Sequence, residues 1–279
     1  KKKKEVENNH GTDLWVITEL ENGEPVGVSY ELIGVASDLA AKANEHCCAV
    51  LVAAEAGDIP QKLIAAGADK VYVIADPKFA EYNTDLYTDA ICQLVDAYKP
   101  SALLIGATAD GRDLAPRIAA RKMTGLCADC TQLDIDVENQ VVEWTRPALG
   151  GNILATILCK ETSPQMGTVR PKVFKAKPMD ATRTGEVINF ELASIATSPI
   201  ELLKKESVVS STHMKIEDAE VICSGGRGMG GADKFQVLEE LAALFENGTV
   251  AGSRAAVDEG WVGHSSQVGQ SGKTVTPKI

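Results

Sequence analysis

The stretch CSGGRGMGGAD, from Cys223 to Asp233, carries residue types and spacing suited to binding a phosphate. Gly226, Gly228 and Gly231 keep the spacing G-x-G-x-x-G, after an apolar run (219–225) and before an amphipathic one (232–248) that stops at Asn247-Gly248. Strand, glycine loop and helix in that order let the backbone approach a pyrophosphate, whose charge then meets free N–H groups where the helix begins. The competing account is a glycine-rich turn that only packs a helix against a strand. A nicotinamide site would place an acid at the end of the next strand to hold the ribose. That strand, TVAGS (249–253), ends in Ser253 and Arg254 instead, while Glu246 sits at a helix end. Arg254 would suit the 2′-phosphate of NADP, which keeps an NADP-dependent oxidoreductase, or a nucleotide-binding subunit without redox work, as the alternative. Only residues 255–279 follow, which leaves little room for a catalytic domain.

A flavin uses the same residues better. The isoalloxazine ring calls for donors at N5 and along its N1–C2 edge, with positive charge near it. Arg254 supplies the charge, Ser271 a hydroxyl, and the backbone at Gly269 and Gln270 offers N–H groups to phosphates. Cys127 and Cys130, in CADC, have the spacing of a redox or metal half-site. They precede a strand-like segment, TQLDIDV, rather than opening a helix, and His10, His46, His213 and His264 are scattered. A structural role is the reading for this pair.

These residues must be held by something. Hydrophobic content of 44% and charged content of 24% describe a globular chain. A net charge of −11 argues against nucleic acid or an anionic membrane as the main partner. No apolar run approaches the length of a membrane span, and the Lys1–Lys4 run has no apolar segment behind it, so a cytoplasmic protein is expected. Seven cysteines, an odd number in apolar or helical contexts, suit reduced thiols.

The fold class expected is α/β. Strands at 13–20, 48–55, 70–76 and 101–108 alternate with helices at 30–46, 59–68, 85–99 and 111–123, the rhythm of a parallel sheet covered on both faces. Asp110 or Asp113 is expected to cap the last of these helices. Residues 131–160 read as two or three added strands, and 163–178, with three prolines, as irregular. A short helix is expected near 199–206, and the polar stretch ESVVSSTHMKIEDA marks a boundary near residue 210. The expected organisation is a linker or extension (1–12), a Rossmann-like scaffold domain with an added β segment (13–210), and a smaller Rossmann-like cofactor domain (211–279).

Several motifs carry a family resemblance. VICSGGRGMG (221–230), AGSRAAVDEGW (251–261) and QVGQSGKTV (267–275) resemble the FAD domain of electron-transfer flavoprotein alpha subunits. GATADGRDLAPRIA (106–119), TGLCADCTQL (124–133), WTRPALGGNILATI (144–157) and PQMGTVRPKVF (164–174) are similar to the first domain of that family, in its bacterial, electron-bifurcating branch. The resemblance implies that Arg227 contacts the FAD pyrophosphate, Ser253 phosphate or ribitol, and Arg254 the flavin ring. It implies that Val268, Gly269 and Gln270 line the cofactor through their backbone. Ser271, where the family usually has threonine, would hydrogen-bond flavin N5. The chain would then be an electron carrier subunit paired with a beta subunit that oxidises NADH. It would deliver electrons to an acyl-CoA dehydrogenase or related flavin oxidoreductase, with ferredoxin as second acceptor in bifurcation. The family's flavin domain continues beyond the motif at which Ile279 stands, so its C-terminal part is expected to be missing. Residues 1–10 are expected to be a linker from a ferredoxin-like domain with iron–sulfur clusters.

Overall fold

The computed structural model describes residues 11–148, 153–205, 216, 219–269, 271–273 and 275–279. They form two compact units, divided between Glu201 and Leu202. The boundary expected near residue 210 falls outside the described residues.

The first unit opens with β1 (Leu14–Ile17), a small hairpin of β2 (Leu20–Glu21) and β3 (Glu24–Pro25), and α1 (Gly27–Ala43). β4 (Cys47–Ala53), α2 (Ile59–Ala66), β5 (Lys70–Ala75), α3 (Thr84–Tyr98), β6 (Ala102–Gly106) and α4 (Ala109–Lys122) follow. Then come β7 (Leu126–Cys130), β8 (Gln132–Asp136), β9 (Val141–Ala148), β10 (Ile153–Leu158), β11 (Gln165–Val169) and β12 (Glu186–Asn189). Seven strands make one parallel sheet in the order β12-β5-β4-β1-β6-β11-β7, and β10-β9-β8 form a separate antiparallel sheet. The continuous apolar runs follow from burial on both faces. Alternation along β1 sends Leu14 and Val16 into the core beneath α1 and α2, and Trp15 and Ile17 into the core beneath α3 and α4.

Local chemistry sets the helix ends. The Asn83 side chain accepts from Asp85 N–H and Leu86 N–H and starts α3. Thr108 caps α4 by accepting from Gly111 N–H at 3.0 Å, so neither Asp110 nor Asp113 holds the cap. A serine or threonine one residue before the first turn competes well with an aspartate already inside it.

Two expectations are corrected. Residues 165–169 lie inside the main sheet, fully buried as β11 between β6 and the edge strand β7, instead of being irregular. The run QMGTV hides its role because two of its residues serve neighbours. Gly167 leaves space for the Trp144 ring, and Gln165 is satisfied by accepting from Val142 N–H and donating to the Gln140 carbonyl. The helix expected near 199–206 is absent among the described residues 199–205. Cys127 and Cys130 lie within β7, both buried, and all seven cysteines are free thiols.

In this sheet the chain departs to opposite sides from β1 and β6, the place where open α/β sheets hold ligands. Here that crevice contains Glu19. Its backbone N–H donates to Ser29 Oγ at 3.0 Å and its carboxylate accepts from Thr108 Oγ1 at 2.6 Å. Burial pushes the Glu19 carboxyl above its ordinary value; the Thr108 hydrogen bond opposes this, while Asp110 and Glu21 add to the rise. A folded-state pKa above the unfolded one contributes stability at low pH that is lost as pH rises through the folded value. Glu19→Gln, which can still accept from Thr108, is therefore expected to raise the melting temperature at pH 7.5 by about 2 °C. The gain should vanish near pH 4 in the same thermal melts, and a loss at pH 7.5 would show that the ionised form is the favoured one.

The second unit pairs β13 (Val221–Gly225) in parallel with β14 (Gly248–Gly252). Between them lie a 3-10 turn (Ala232–Phe235) and α5 (Gln236–Ala242); α6 (Arg254–Asp258) follows β14. The helix expected over 232–248 stops at Ala242 because β14 must begin at Gly248, in register with Val221. A side chain at Gly248 would collide with the Ala242 carbonyl.

A candidate dinucleotide site at the ends of two parallel strands

Register places Gly225 beside Gly252 where β13 and β14 end, and Ser253 N–H donates to the Gly225 carbonyl at 2.9 Å. A Cβ on Gly225 would lie 2.7 Å from Phe235 Cζ and 2.8 Å from Leu238 Cδ1. This glycine, one residue ahead of the G-x-G-x-x-G pattern, is the one that lets the helix pack on the strand. The loop then tightens into a 3-10 turn at Arg227–Met229, closed by Met229 N–H to the Gly226 carbonyl and Gly230 N–H to the Arg227 carbonyl. Gly230 holds φ 78°, a conformation that favours glycine. A Cβ on Gly228 or Gly230 would meet nothing within 4 Å, so open space borders the turn. The N–H groups of Gly226, Arg227 and Gly228 have no backbone carbonyl partner among the described residues. Arg227 is exposed within the same turn.

A second loop is tied to the same edge. Gln267 bridges Gly252, and Val268 N–H donates to the Gly252 carbonyl at 3.0 Å. The loop closes on itself through Lys273 N–H to the Gln267 carbonyl at 2.8 Å and Gly272 N–H to the Gly269 carbonyl at 3.0 Å. Gly269, at φ 107°, makes the turn. The buried Gln267 donates from Nε2 to Ser271 Oγ at 3.0 Å, while Ser271 itself is exposed. Gly252 is thus the hub: beside Gly225, followed by Ser253, and bridged to the loop that carries Val268, Gly269 and Ser271. Arg254 opens α6 directly after it, with its side chain 70% exposed and 3.5 Å from Asp258. Four of the seven residues expected at the site, Arg227, Val268, Gly269 and Ser271, lie on these two loops, Ser253 and Arg254 follow Gly252 at the start of α6, and Gln270 lies outside the described residues.

Three residues were missed from sequence. Gly225 and Gly252 look like ordinary strand-end glycines, and Gln267 like a polar loop residue; only strand register and burial separate them. A signal for Gln267 existed in its spacing, four residues ahead of a hydroxyl in a loop rich in glycine.

The donor set fits a flavin dinucleotide. Turn N–H groups with no backbone carbonyl partner among the described residues, an arginine and open space at Gly228 suit a pyrophosphate. A hydroxyl oriented by a buried amide, and an exposed guanidinium two residues past the hub, suit an electron-accepting ring. Among the described residues no group of three or more His, Cys, Asp or Glu side chains is arranged to hold a metal ion. None of the helices in the described residues is long and apolar enough to cross a membrane.

Fold and site together define a two-unit α/β protein, a parallel-sheet body followed by a small glycine-loop unit. Comparison with known proteins carries this further. Residues 14–195 match the electron transfer flavoprotein domain, and 215–279 the electron transfer flavoprotein FAD-binding domain. The electron transfer flavoprotein subunit alpha of Thermoanaerobacterium thermosaccharolyticum is 46% identical over 275 residues, 97% of this chain and 82% of that one. The subunit of the same name from Megasphaera elsdenii is 47% identical over 272 residues, 95% of this chain and 79% of that one. An acryloyl-CoA reductase electron transfer subunit beta of Anaerotignum propionicum is 38% identical over 301 residues, 97% of this chain and 81% of that one. The chain belongs to the electron transfer flavoprotein family, on its alpha-subunit side.

Proposed function

We infer that the second unit binds FAD and that the chain serves as the alpha subunit of an electron carrier. The observation that carries this reading is the convergence of the glycine turn and the Gln267–Lys273 loop on Gly252. The bound flavin would supply the means of accepting and releasing electrons. Arg227 and the N–H groups of its turn hold the pyrophosphate, and Ser253 holds phosphate or ribitol. The backbone of Val268, Gly269 and Gln270 lines the cofactor. Ser271 offers its hydroxyl to N5, and Arg254 places positive charge against the ring. Residues 13–210 serve as scaffold and heterodimer surface, and residues 211–279 as the FAD domain.

The partner proposed is an electron-transfer flavoprotein beta subunit, in the cytoplasm. Names of relatives support an acyl-CoA dehydrogenase as redox partner, since one is called an electron transfer subunit of an acryloyl-CoA reductase. Bifurcation with ferredoxin rests on the motif resemblance alone. The iron–sulfur clusters expected from the resemblance rest on it alone as well.

Arg254→Ala tests the site. A positive charge beside the ring stabilises the extra electron, so its removal should lower the reduction potential of the bound flavin in a dye-coupled titration. An unchanged potential would take Arg254 away from the ring.

A further inference from the structure

We propose that Gln267 is a positioning residue that fixes the direction of the Ser271 hydroxyl, turning its proton outward to the flavin. The inference rests on Ser271 facing the ring, as proposed above, and assigns a role to a residue one step behind it.

The geometry has three parts. First, Gln267 is 4% exposed, so its amide must be paired within the protein. Its Nε2 donates to Ser271 Oγ at 3.0 Å. A hydroxyl has one proton and two acceptor lone pairs. With Oγ accepting from Gln267, the Ser271 proton is free to donate elsewhere, and Ser271 is exposed. Second, the amide cannot drift. The Gln267 backbone bridges Gly252, its carbonyl accepts from Lys273 N–H at 2.8 Å, and the next residue bridges Lys273. A side chain at Gly272 would collide with the Gln267 carbonyl, so the loop is closed tightly over that residue. Third, the four-residue span from Gln267 to Ser271 runs around the turn at Gly269, which brings the amide back to the hydroxyl instead of letting it point to solvent.

The consequence for function is one of sign. Ring N5 has a lone pair in the oxidised flavin and gains electron density on reduction. A hydroxyl held as donor there favours reduction, whereas a hydroxyl free to rotate, or forced to turn inward, does so less. Gln267 would therefore hold the potential up through Ser271 without touching the cofactor.

The test uses the full chain assembled with its partner subunit and reconstituted with FAD. Reduction potentials and FAD dissociation constants are measured for Ser271→Ala, Gln267→Met, Gln267→Glu and the Ser271→Ala/Gln267→Met double variant. Each single variant should lower the potential, and the double variant should match Ser271→Ala, because the second change acts only through the first. Gln267→Glu keeps the shape but can only accept, which draws the serine proton inward; it carries the test if the methionine variant does not fold. FAD affinity should fall no more than about threefold in Gln267→Met, the scale of one neutral hydrogen bond. The proposal is overturned if Gln267→Met leaves the potential alone while Ser271→Ala shifts it, or if the two shifts add. It is overturned too by a loss of FAD affinity far beyond threefold, which would mark a packing role. If Ser271→Ala shifts nothing, the placement of Ser271 at the ring fails, and this inference fails with it.

Discussion

Replacing Gly167 with valine is expected to destabilise the first unit severely. Gly167 sits in the middle of β11, paired with Leu104 of β6 on one side and Cys127 of β7 on the other. A Cβ there would overlap the six-membered ring of Trp144, which is fully buried. Neither party can yield. The strand is fixed by neighbours on both edges, and the indole is held by β9, whose Val142 N–H is bonded to Gln165 one residue pair away. Overpacking in a core costs about 1–3 kcal/mol where side chains can shift. With backbone on one side and an immobile indole on the other, about 4 kcal/mol or more is expected, a large part of the roughly 5–15 kcal/mol that stabilises a domain. Urea unfolding followed by tryptophan fluorescence would read it. Trp144→Leu in the same chain should restore part of the loss, since the two positions share one volume. A Gly167→Val protein that unfolds with wild-type midpoint would mean that Trp144 can leave its pocket.

That pair also shows where sequence reading stops. The alternation of strands and helices through α4 was legible because buried parallel strands are apolar without interruption. β1, β4, β5 and β6 therefore announce themselves, whereas the cap of α4, expected at Asp110 or Asp113, falls to Thr108. β11 was illegible because its residues are chosen by distant neighbours: glycine for an indole from β9, glutamine for the buried N–H of Val142 and the carbonyl of Gln140. The length of the helix before β14 was also hidden, since register with β13 ends it and not local propensity. At the site the pattern reversed. The G-x-G-x-x-G spacing located the loop, yet the glycine under steric demand is Gly225, just outside the pattern. Ser271 was named for its hydroxyl, while the buried amide that orients it could be found only from burial and hydrogen bonding.

Gly225→Val is expected to weaken FAD binding by about 100-fold or more, equivalent to nearly 3 kcal/mol. The added side chain must displace Phe235 and Leu238, which pack where Cβ would stand at 2.7–2.8 Å. Phe235 is buried and lies 6.3 Å, centroid to centroid, from Trp261, so its displacement spreads to the chain after α6. The strand end itself would shift, and with it the Ser253 N–H bond to the Gly225 carbonyl and the register with Gly252 on which both loops depend. Gly228→Ala supplies the contrast. Its Cβ meets no protein atom within 4 Å, so the unit should melt as wild type while FAD binding weakens about tenfold, because the methyl occupies space a phosphate would use. Measured side by side by flavin fluorescence and thermal melts, the two variants separate a glycine that shapes the protein from one that makes room for a ligand. Were Gly228→Ala to bind FAD at full strength, the turn at Arg227 would be packing alone, and the phosphates would have to lie elsewhere.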